Sequence, residues 1–286
     1  MLKNLIRYAG LPFIFIFPLT LYAVTSANGN APAWAMLSSV CAVAILLLWE
    51  KYFPSRIEWQ PSWKHVKVDL QYLTLVHLAL SELIGAGVAL FLVSQWGTKA
   101  PLARLWPREL PAWEQVLLVI LIADFLQYWA HRAMHAIPIF WRLHALHHSV
   151  DRLYAFNTLR FHPLEMLQRY ISHSLPFILL GVDPRVFGFW IVIHLLSAFT
   201  QHCNVDFYFG PLSRVVITPE LHRWHHAMLP AKSTANYAPA FCLWDIVFGT
   251  YYRPKDRQIG ELGIQGAAYP SSFFAQIRAP FMKSEK

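Results

Sequence analysis

The sequence predicts an all-α integral membrane protein with about four transmembrane helices, an additional helical hairpin and a histidine-rich segment that continues the last span. Of the 286 residues, 56% are hydrophobic and only 14% are charged, which is the composition of a membrane protein. Apolar runs long enough to cross a hydrocarbon core, which takes about 20 helical residues, recur along the first half of the chain. The chain also contains 14 histidines, and eight of them fall into three short clusters.

Four apolar runs predict the membrane spans. They cover residues 5–27, 33–49, 70–93 and 113–129, and the fourth leads directly into the motif HRAMH. We interpret the first run as an uncleaved span and not as a secretory signal, because it is longer than a usual signal core and a second run follows almost at once.

The loop charges predict which side of the membrane each end faces. Lys3 and Arg7 precede the first span, and Lys51 and Arg56 follow the second, so both groups face the same side if the first two spans form a hairpin. Positive loop charge favours the cytoplasm, although Lys99 then falls outside. Four crossings return the histidines to the cytoplasmic face.

We divide the chain into an N-terminal transmembrane region, residues 1–130, and a histidine-rich catalytic region, residues 131–286. A further apolar stretch, residues 170–200, is interrupted by Gly-Val-Asp-Pro at 181–184, and Gly followed closely by Pro is a turn signal. Each half is short for a crossing, and the chain must return to its starting side if the clusters on both sides bind one site. This predicts a re-entrant or interfacial helical hairpin.

The histidine clusters indicate a metal site. They are HRAMH, HALHH and HRWHH, which contain His131, His135, His144, His147, His148, His222, His225 and His226. Residues three and four apart are neighbours on a helix surface, so each cluster places imidazoles on one face. One four-coordinate ion cannot use eight of them, and the count therefore predicts a pair of metals. We interpret the remaining His65, His77, His173 and His194 as ordinary core or surface residues.

Composition and missing motifs exclude several other functions. The net charge of +8 is scattered among apolar residues, which favours contact with anionic membrane lipids and not with nucleic acid. Three widely spaced cysteines support neither a disulfide framework nor an iron–sulfur cluster. The sequence has no G-x-G-x-x-G turn and no P-loop, so we expect electrons to come from a separate carrier.

Several motifs together resemble a known family. DFLQYWAHRAMH, HALHHSVD, RFHPLE, ELHRWHH and NYAPAFCLWDIVFGT are similar, in order and spacing over residues 124–250, to the fatty acid hydroxylase/sterol desaturase superfamily of integral-membrane di-iron enzymes. The resemblance implies two iron ions that use O2 and two electrons to hydroxylate or desaturate a C–H bond of a lipid taken from the bilayer. It implies a separate electron donor, ferredoxin-like or cytochrome b5-like with its reductase.

The resemblance also implies which residues bind the iron ions. The eight clustered histidines correspond to metal ligands, and so do two more, His162 in RFHPLE and His202 in QHCNVDF, with a structural or orienting role as the alternative for this pair. Asp124 lies on the same helical face as His131, where it either orients that ring or packs against an arginine. For Arg132, Arg160 and Glu165 we expect a structural ion network.

Three other functions remain open from the sequence. The first is a carotenoid ring hydroxylase, which also uses histidine-rich membrane sites. The second is a membrane protein that handles metal or haem, although transport favours polar residues at membrane depth in several spans. The third is a di-zinc hydrolase, which needs an acidic residue as general base beside the clusters.

Overall fold

The computed structural model describes residues 1–96, 102–228, 235–255, 259–264 and 269–282, and Lys99 lies outside them. Helices make up the architecture, and the only β-pairing in the described residues consists of isolated bridges. The helices are α1 (Leu2–Thr25), α2 (Ala31–Tyr52), α3 (Trp63–Gln71), a π-helix (Tyr72–Leu80), α4 (Ser81–Trp96), α5 (Ala112–Ala136), α6 (Pro138–His148), α7 (Pro163–His173), α8 (Leu175–Leu179), α9 (Pro184–His202), α10 (Pro219–His225), α11 (Leu243–Val247) and α12 (Phe273–Arg278).

Three helical segments in the described residues are long and apolar enough to cross a membrane. They are Leu2–Asn28, Ala31–Tyr52 and Ala112–Ala136, and they coincide with the first, second and fourth predicted spans. The third predicted span lies in a helical stretch made of α3, the π-helix and α4. A total of about four crossings stays a prediction. Helix α5 passes through position 130 without interruption, so the histidine-rich region continues the span that precedes it.

Helix α9 is the central helix of the bundle. It packs against α1, α2 and α5, and it buries Val192, Leu196 and Trp190. A helix that is apolar on all sides is expected in such a position. Close approach to α1 depends on Gly188, because a Cβ there would overlap the hydroxyl and ring of Tyr22.

The predicted hairpin exists, and it reaches further than the sequence indicates. Helices α7 and α8 run one way, α9 returns, and Gly181 adopts a left-handed conformation, φ 60°, at the turn. Arg108 Nη2 donates a hydrogen bond of 2.5 Å to the Gly181 carbonyl, and the Tyr22 hydroxyl donates one of 2.9 Å to the Arg185 carbonyl. The turn therefore lies beside the α1–α2 and α4–α5 connections, at the end of the bundle away from the histidines.

The structure extends the hairpin beyond the predicted stretch, and its re-entrant or interfacial position in the membrane stays a prediction. The apolar stretch begins at residue 170, but α7 begins at Pro163. The first part of α7 carries the polar side chains Glu165 and Arg169, which face the protein interior and not water. The two arms are consequently long enough to extend alongside α5 for most of its length.

At the other end of the bundle, the ends of α2, α5 and α9 meet α6 and α10. The Glu50 carboxylate accepts hydrogen bonds from the backbone N–H groups of Ala155, at 2.8 Å, and Asn204, at 2.6 Å. An isolated bridge joins Pro54 to Val205. These contacts fix the segment between α6 and α7 and the segment after α9 beside the metal-binding side chains.

Candidate metal centre

Nine of the ten histidines predicted as ligands converge in two groups. In each group, one ring nitrogen from every histidine lies within 4.8 Å of the corresponding nitrogens of the other members. The five-histidine group consists of His131, His135, His144, His148 and His225, and the four-histidine group consists of His147, His202, His222 and His226.

Helix geometry explains how three short motifs supply two groups. His131 and His135 lie one turn apart on α5, and His144 and His148 lie one turn apart on α6. Adjacent residues on a helix point in directions about 100° apart. His147 therefore turns away from His148 and joins the other group.

The third cluster divides in the same way. His225 completes the five-histidine group, and its neighbour His226 joins His222 in the four-histidine group. The fourth member, His202, comes from the last residue of α9. Each group therefore combines side chains from elements that are far apart in the sequence.

Ring nitrogens without partners show that both groups fit a metal ion. In the five-histidine group, the Nε2 atoms of His135, His148 and His225 are buried and have no hydrogen-bond partner among the described residues. Buried polar atoms are nearly always paired. Unpaired nitrogens that lie this close together therefore suit an ion that accepts several lone pairs at once.

The four-histidine group differs in detail, because its converging atoms include Nε2 atoms while its unpaired atoms are Nδ1. The Nδ1 atoms of His147, His222 and His226 are buried and unpaired within the described chain. The Nε2 atom of His222 lies 2.9 Å from Nε2 of His202 and 3.0 Å from Nε2 of His226. Neutral imidazole nitrogens packed so closely indicate a site for a cation.

Burial keeps these rings neutral. Desolvation, followed by the neighbouring histidines, holds the pKa values of His147, His148, His222 and His226 well below their usual range. Burial also lowers the pKa of His225 to about 3, against a smaller opposing effect of its backbone hydrogen bond. A neutral ring retains the lone pair that a metal requires.

Backbone carbonyls orient two of the rings. His131 Nδ1 donates to the Tyr237 carbonyl at 2.7 Å, and His225 Nδ1 donates to the Ala235 carbonyl, also at 2.7 Å. With Nδ1 fixed as the donor, each ring turns its Nε2 atom toward the five-histidine group. Both carbonyls belong to the segment that follows α10.

Two carboxylates hold that segment in place. Asp245 accepts hydrogen bonds from the backbone N–H groups of Tyr237, at 2.8 Å, and Ala238, at 3.0 Å. Asp124 accepts one from the backbone N–H of Ala240 at 3.0 Å. Asp124 thus anchors the segment that carries the carbonyl partner of His131, instead of contacting the ring itself.

Side chains orient two further rings. His144 Nδ1 lies 2.9 Å from a carboxylate oxygen of buried Glu165, and His202 Nδ1 lies 2.9 Å from the amide oxygen of Asn157. Such partners fix the tautomer and increase ligand basicity. The sequence alone does not indicate this role of Asn157, because no spacing relates it to His202, 45 residues later.

His162 lies outside both groups. Its Nδ1 atom accepts a hydrogen bond of 3.1 Å from the backbone N–H of Leu164, and its Nε2 atom donates one of 3.1 Å to the Ile277 carbonyl. Pro163 starts α7, so His162 has an extended backbone and caps the helix with its ring. The structure therefore supports the structural alternative for His162.

The expected ion network among Arg132, Arg160 and Glu165 does not form. Arg160 pairs with Asp69 at 2.5 Å, and Arg132 lies over the Trp129 ring. Glu165 is engaged with His144. Glu165 therefore belongs to the metal centre, and Arg160 helps to fix the segment between α6 and α7 against α3.

The sequence is similar to proteins of known activity. A fatty acid hydroxylase family model matches residues 116–250. Ornithine lipid hydroxylase OlsE of Rhizobium tropici is 34% identical over 255 residues, which cover 87% of this chain and 76% of that protein. A comparison with solved structures found no significant match.

More distant relatives match about half of the chain. Human alkylglycerol monooxygenase is 31% identical over 55% of this chain and 34% of its own length. Methylsterol monooxygenase 2-2 of Arabidopsis thaliana is 29% identical over 49% of this chain and 55% of its own length. The matching segments thus extend across oxygenases that are named for different lipid substrates.

Proposed function

Because this chain belongs to the fatty acid hydroxylase family, we propose that it is a membrane-bound di-iron oxygenase that hydroxylates a lipid, with O2 as co-substrate and electrons from a separate carrier protein. The apolar helices and the family make it a membrane protein, and its relatives make it an oxygenase. These relatives are a hydroxylase and two monooxygenases, which favours hydroxylation over desaturation.

The convergence of nine histidines in two buried groups carries this proposal. The five-histidine group would hold one iron ion and the four-histidine group the other. When bound, an iron pair supplies the redox chemistry that activates O2, which zinc cannot supply. The chain's own contribution is a set of neutral nitrogen ligands, four of which have ring orientations fixed by hydrogen bonds.

The contacts around the groups define that contribution. Tyr237, Ala235, Glu165 and Asn157 each hold the nitrogen that faces away from the group, so the inward nitrogen keeps its lone pair. The Phe161 ring stacks on His147 with centroids 4.6 Å apart and shields that side of the site with apolar surface. A water-poor, fixed ligand cage protects a reactive site from side reactions.

The rival functions fit the structure less well. A di-zinc hydrolase needs a free carboxylate as general base, but Glu165, the acidic residue hydrogen-bonded to a clustered histidine, is committed to His144. A protein that transports metal needs polar groups along a path through the membrane, whereas these histidines gather at one end of the bundle. The relatives are enzymes.

The test combines metal analysis with lipid mass spectrometry. We expect two iron ions per purified chain, and in a host that produces the protein we expect lipids heavier by one oxygen atom. His147→Ala should abolish the new lipids and reduce the iron content. His65→Ala is the matched control, since His65 is a histidine on α3 outside both groups.

Two results would contradict the proposal. One is an active, folded protein with a single metal ion or none. The other is a set of products that lack two hydrogens and carry no added oxygen, which would identify a desaturase. If His147→Ala kept the activity of the unmodified protein, the assignment of the four-histidine group would be wrong.

A further inference from the structure

A cavity of about 390 Å³ lies beside the metal centre, enclosed by the π-helix, α4, α7 and α9. This volume is in the range of small-molecule binding sites. Its wall is mainly apolar, with side chains such as Leu159, Trp190 and Phe199, but it also contains charged and imidazole groups. A polar subset in an otherwise apolar cavity indicates recognition of a specific polar group.

The cavity adjoins the metal centre. Thr158, Phe161, Arg169, His194 and Ala198 line it and also line the narrow space bordered by metal-group histidines. A molecule in the cavity therefore lies next to the side chains that surround the histidine groups.

Arg169 is the cation at this junction, and its charge is not balanced by an ion pair. One turn earlier on α7, Glu165 would be its natural partner, but Glu165 is hydrogen-bonded to His144 at 2.9 Å. Within the described part of the chain no carboxylate forms an ion pair with Arg169. A charge placed against apolar surface is costly unless it is paired.

The contacts of the Arg169 guanidinium leave donors available. Its Nη2 atom lies 3.3 Å from Nε2 of His194, and its central carbon lies 4.3 Å from the centre of the Phe161 ring. A guanidinium has five N–H donors in a planar fork that matches a carboxylate. The stacking on Phe161 holds the fork in one orientation.

Two histidines add donors beside Arg169. His173 and His194 lie with ring centroids 4.3 Å apart, and His173 is only 8% exposed. Nε2 of His173 and Nδ1 of His194 are buried without a partner among the described residues. Because Nε2 of His194 accepts from Arg169, its Nδ1 atom carries the hydrogen and is a free donor.

We propose that Arg169, with His173 and His194, binds a carboxylate group of the lipid substrate. The cation, the unpaired nitrogens and the cavity beside the metal centre all point to a singly charged anion with several acceptor lone pairs. That the bound lipid is then oxidised rests on the proposed function, whereas its binding does not.

The position of Arg169 also limits where oxidation occurs. The Phe161 ring contacts the Arg169 guanidinium, and it also stacks on the His147 ring with an interplanar angle of 13°. A carboxylate bound to Arg169 is thus one aromatic ring away from a member of the four-histidine group. The carbon that is oxidised should lie in the headgroup or within the first few bonds from it, and not in the middle of an acyl chain.

A carboxylate in this cavity has two possible sources, a plain fatty acid or an acylated amino acid. Glu82 on α4 lines the cavity as well and provides a negative charge that suits an ammonium group. Dodecanoate represents the first source and Nα-lauroyl-lysine, which carries both charges, represents the second. Dodecanol is the counterpart of dodecanoate without the carboxylate, and Nα-lauroyl-lysine amide is the counterpart of Nα-lauroyl-lysine.

The experiment measures the affinities of these four amphiphiles by calorimetry in a nonionic detergent, without any oxidation step. We expect the better carboxylate probe to bind about tenfold more tightly than its neutral counterpart, as a charge-assisted hydrogen bond predicts. Arg169→Gln should remove this preference, and Arg169→Lys should keep part of it. Arg185→Gln is the matched control, because Arg185 is exposed at the start of α9.

The outcomes separate this inference from the proposed function. Whichever carboxylate probe binds more tightly, a preference that disappears with Arg169→Gln supports the proposal and identifies the lipid class. Equal affinities for charged and neutral probes in the unmodified protein overturn it, and so does a preference that survives in Arg169→Gln. An inactive protein with the expected binding would contradict the oxygenase function alone.

Discussion

Four of the nine grouped histidines have an identified hydrogen-bond partner on the nitrogen that faces away from the metal groups. For His144 this partner is the Glu165 carboxylate, which is almost completely buried. Such a partner fixes the ring before metal binding, and its loss typically costs about 10- to 100-fold in metal affinity. The orienting contacts should therefore influence metal retention nearly as strongly as the ligands do.

The first prediction tests the contact between Glu165 and His144. Glu165→Leu leaves His144 Nδ1 without an acceptor, so we expect a 10- to 100-fold lower affinity of the five-histidine group. At limiting iron, elemental analysis should then find close to one ion per chain. Glu165→Gln keeps an acceptor and should bind more iron than the Leu variant. Glu220→Leu, which alters an exposed carboxylate, is the control.

The second prediction separates His202 from His162. His202→Ala removes a member of the four-histidine group, and we expect loss of metal and activity together. His162→Ala should keep both metals, because neither of its ring nitrogens faces a group. Its cost should be about 1 kcal/mol of stability from the lost helix cap. A metal-depleted but folded His162→Ala protein would restore His162 as a ligand.

These two residues also show what motif position can establish. The resemblance to a family predicts that both are ligands, and only the structure shows that Pro163 forces His162 into a cap. The orienting partners were beyond the sequence for a different reason. The Tyr237 carbonyl is 106 residues from His131, and no periodicity relates residues so far apart.

At the scale of elements, helix α7 explains why the hairpin is longer than the sequence suggested. An amphipathic segment with Glu165 and Arg169 looks like a water-exposed helix, so hydropathy does not include it in the bundle. In the structure these polar side chains point toward the metal centre and the cavity. Polar groups with a functional role therefore lower the hydropathy of an interior helix, and a search for apolar runs does not detect it.

The third prediction concerns the contact between α9 and α1. Gly188→Ala places a Cβ against the fully buried ring of Tyr22, and we expect a loss of about 1–3 kcal/mol of stability, seen as a lower thermal midpoint in detergent. In a Tyr22→Ala background the same change should cost much less. Gly87→Ala is the control, since no described atom lies within 4 Å of its Cβ position. Equal costs in both backgrounds would refute the proposed overlap.

At the scale of the whole molecule, the sequence predicts the helical bundle well. Long apolar runs identify α1, α2 and α5, because hydrophobicity over about 20 residues has few other causes. The division of the histidines into a group of five and a group of four could not be predicted from the sequence. It depends on how α6 and α10 lie against α5 and α9, and this packing is not encoded in any single motif.

The fourth prediction concerns the orientation of the bundle. In a variant with Cys41 replaced, Ser55→Cys and Asp183→Cys should be labelled from opposite sides of sealed vesicles, because these exposed residues lie at opposite ends. We expect position 55 to face the cytoplasm. The native Cys203 and Cys242 are buried and should stay unlabelled. Labelling of both positions from one side would support the re-entrant or interfacial hairpin that the sequence predicts.

The division of adjacent histidines between the two groups has a consequence for how metal ions are acquired. His147 and His148, and likewise His225 and His226, are consecutive residues on one rigid segment, but each serves a different group. Because each segment moves as a unit, a displacement of α6 or α10 that prevents one group from holding its ion also withdraws a ligand from the other group. Uptake of the two ions should therefore be positively cooperative, so that partly loaded protein would contain mainly empty and doubly occupied molecules.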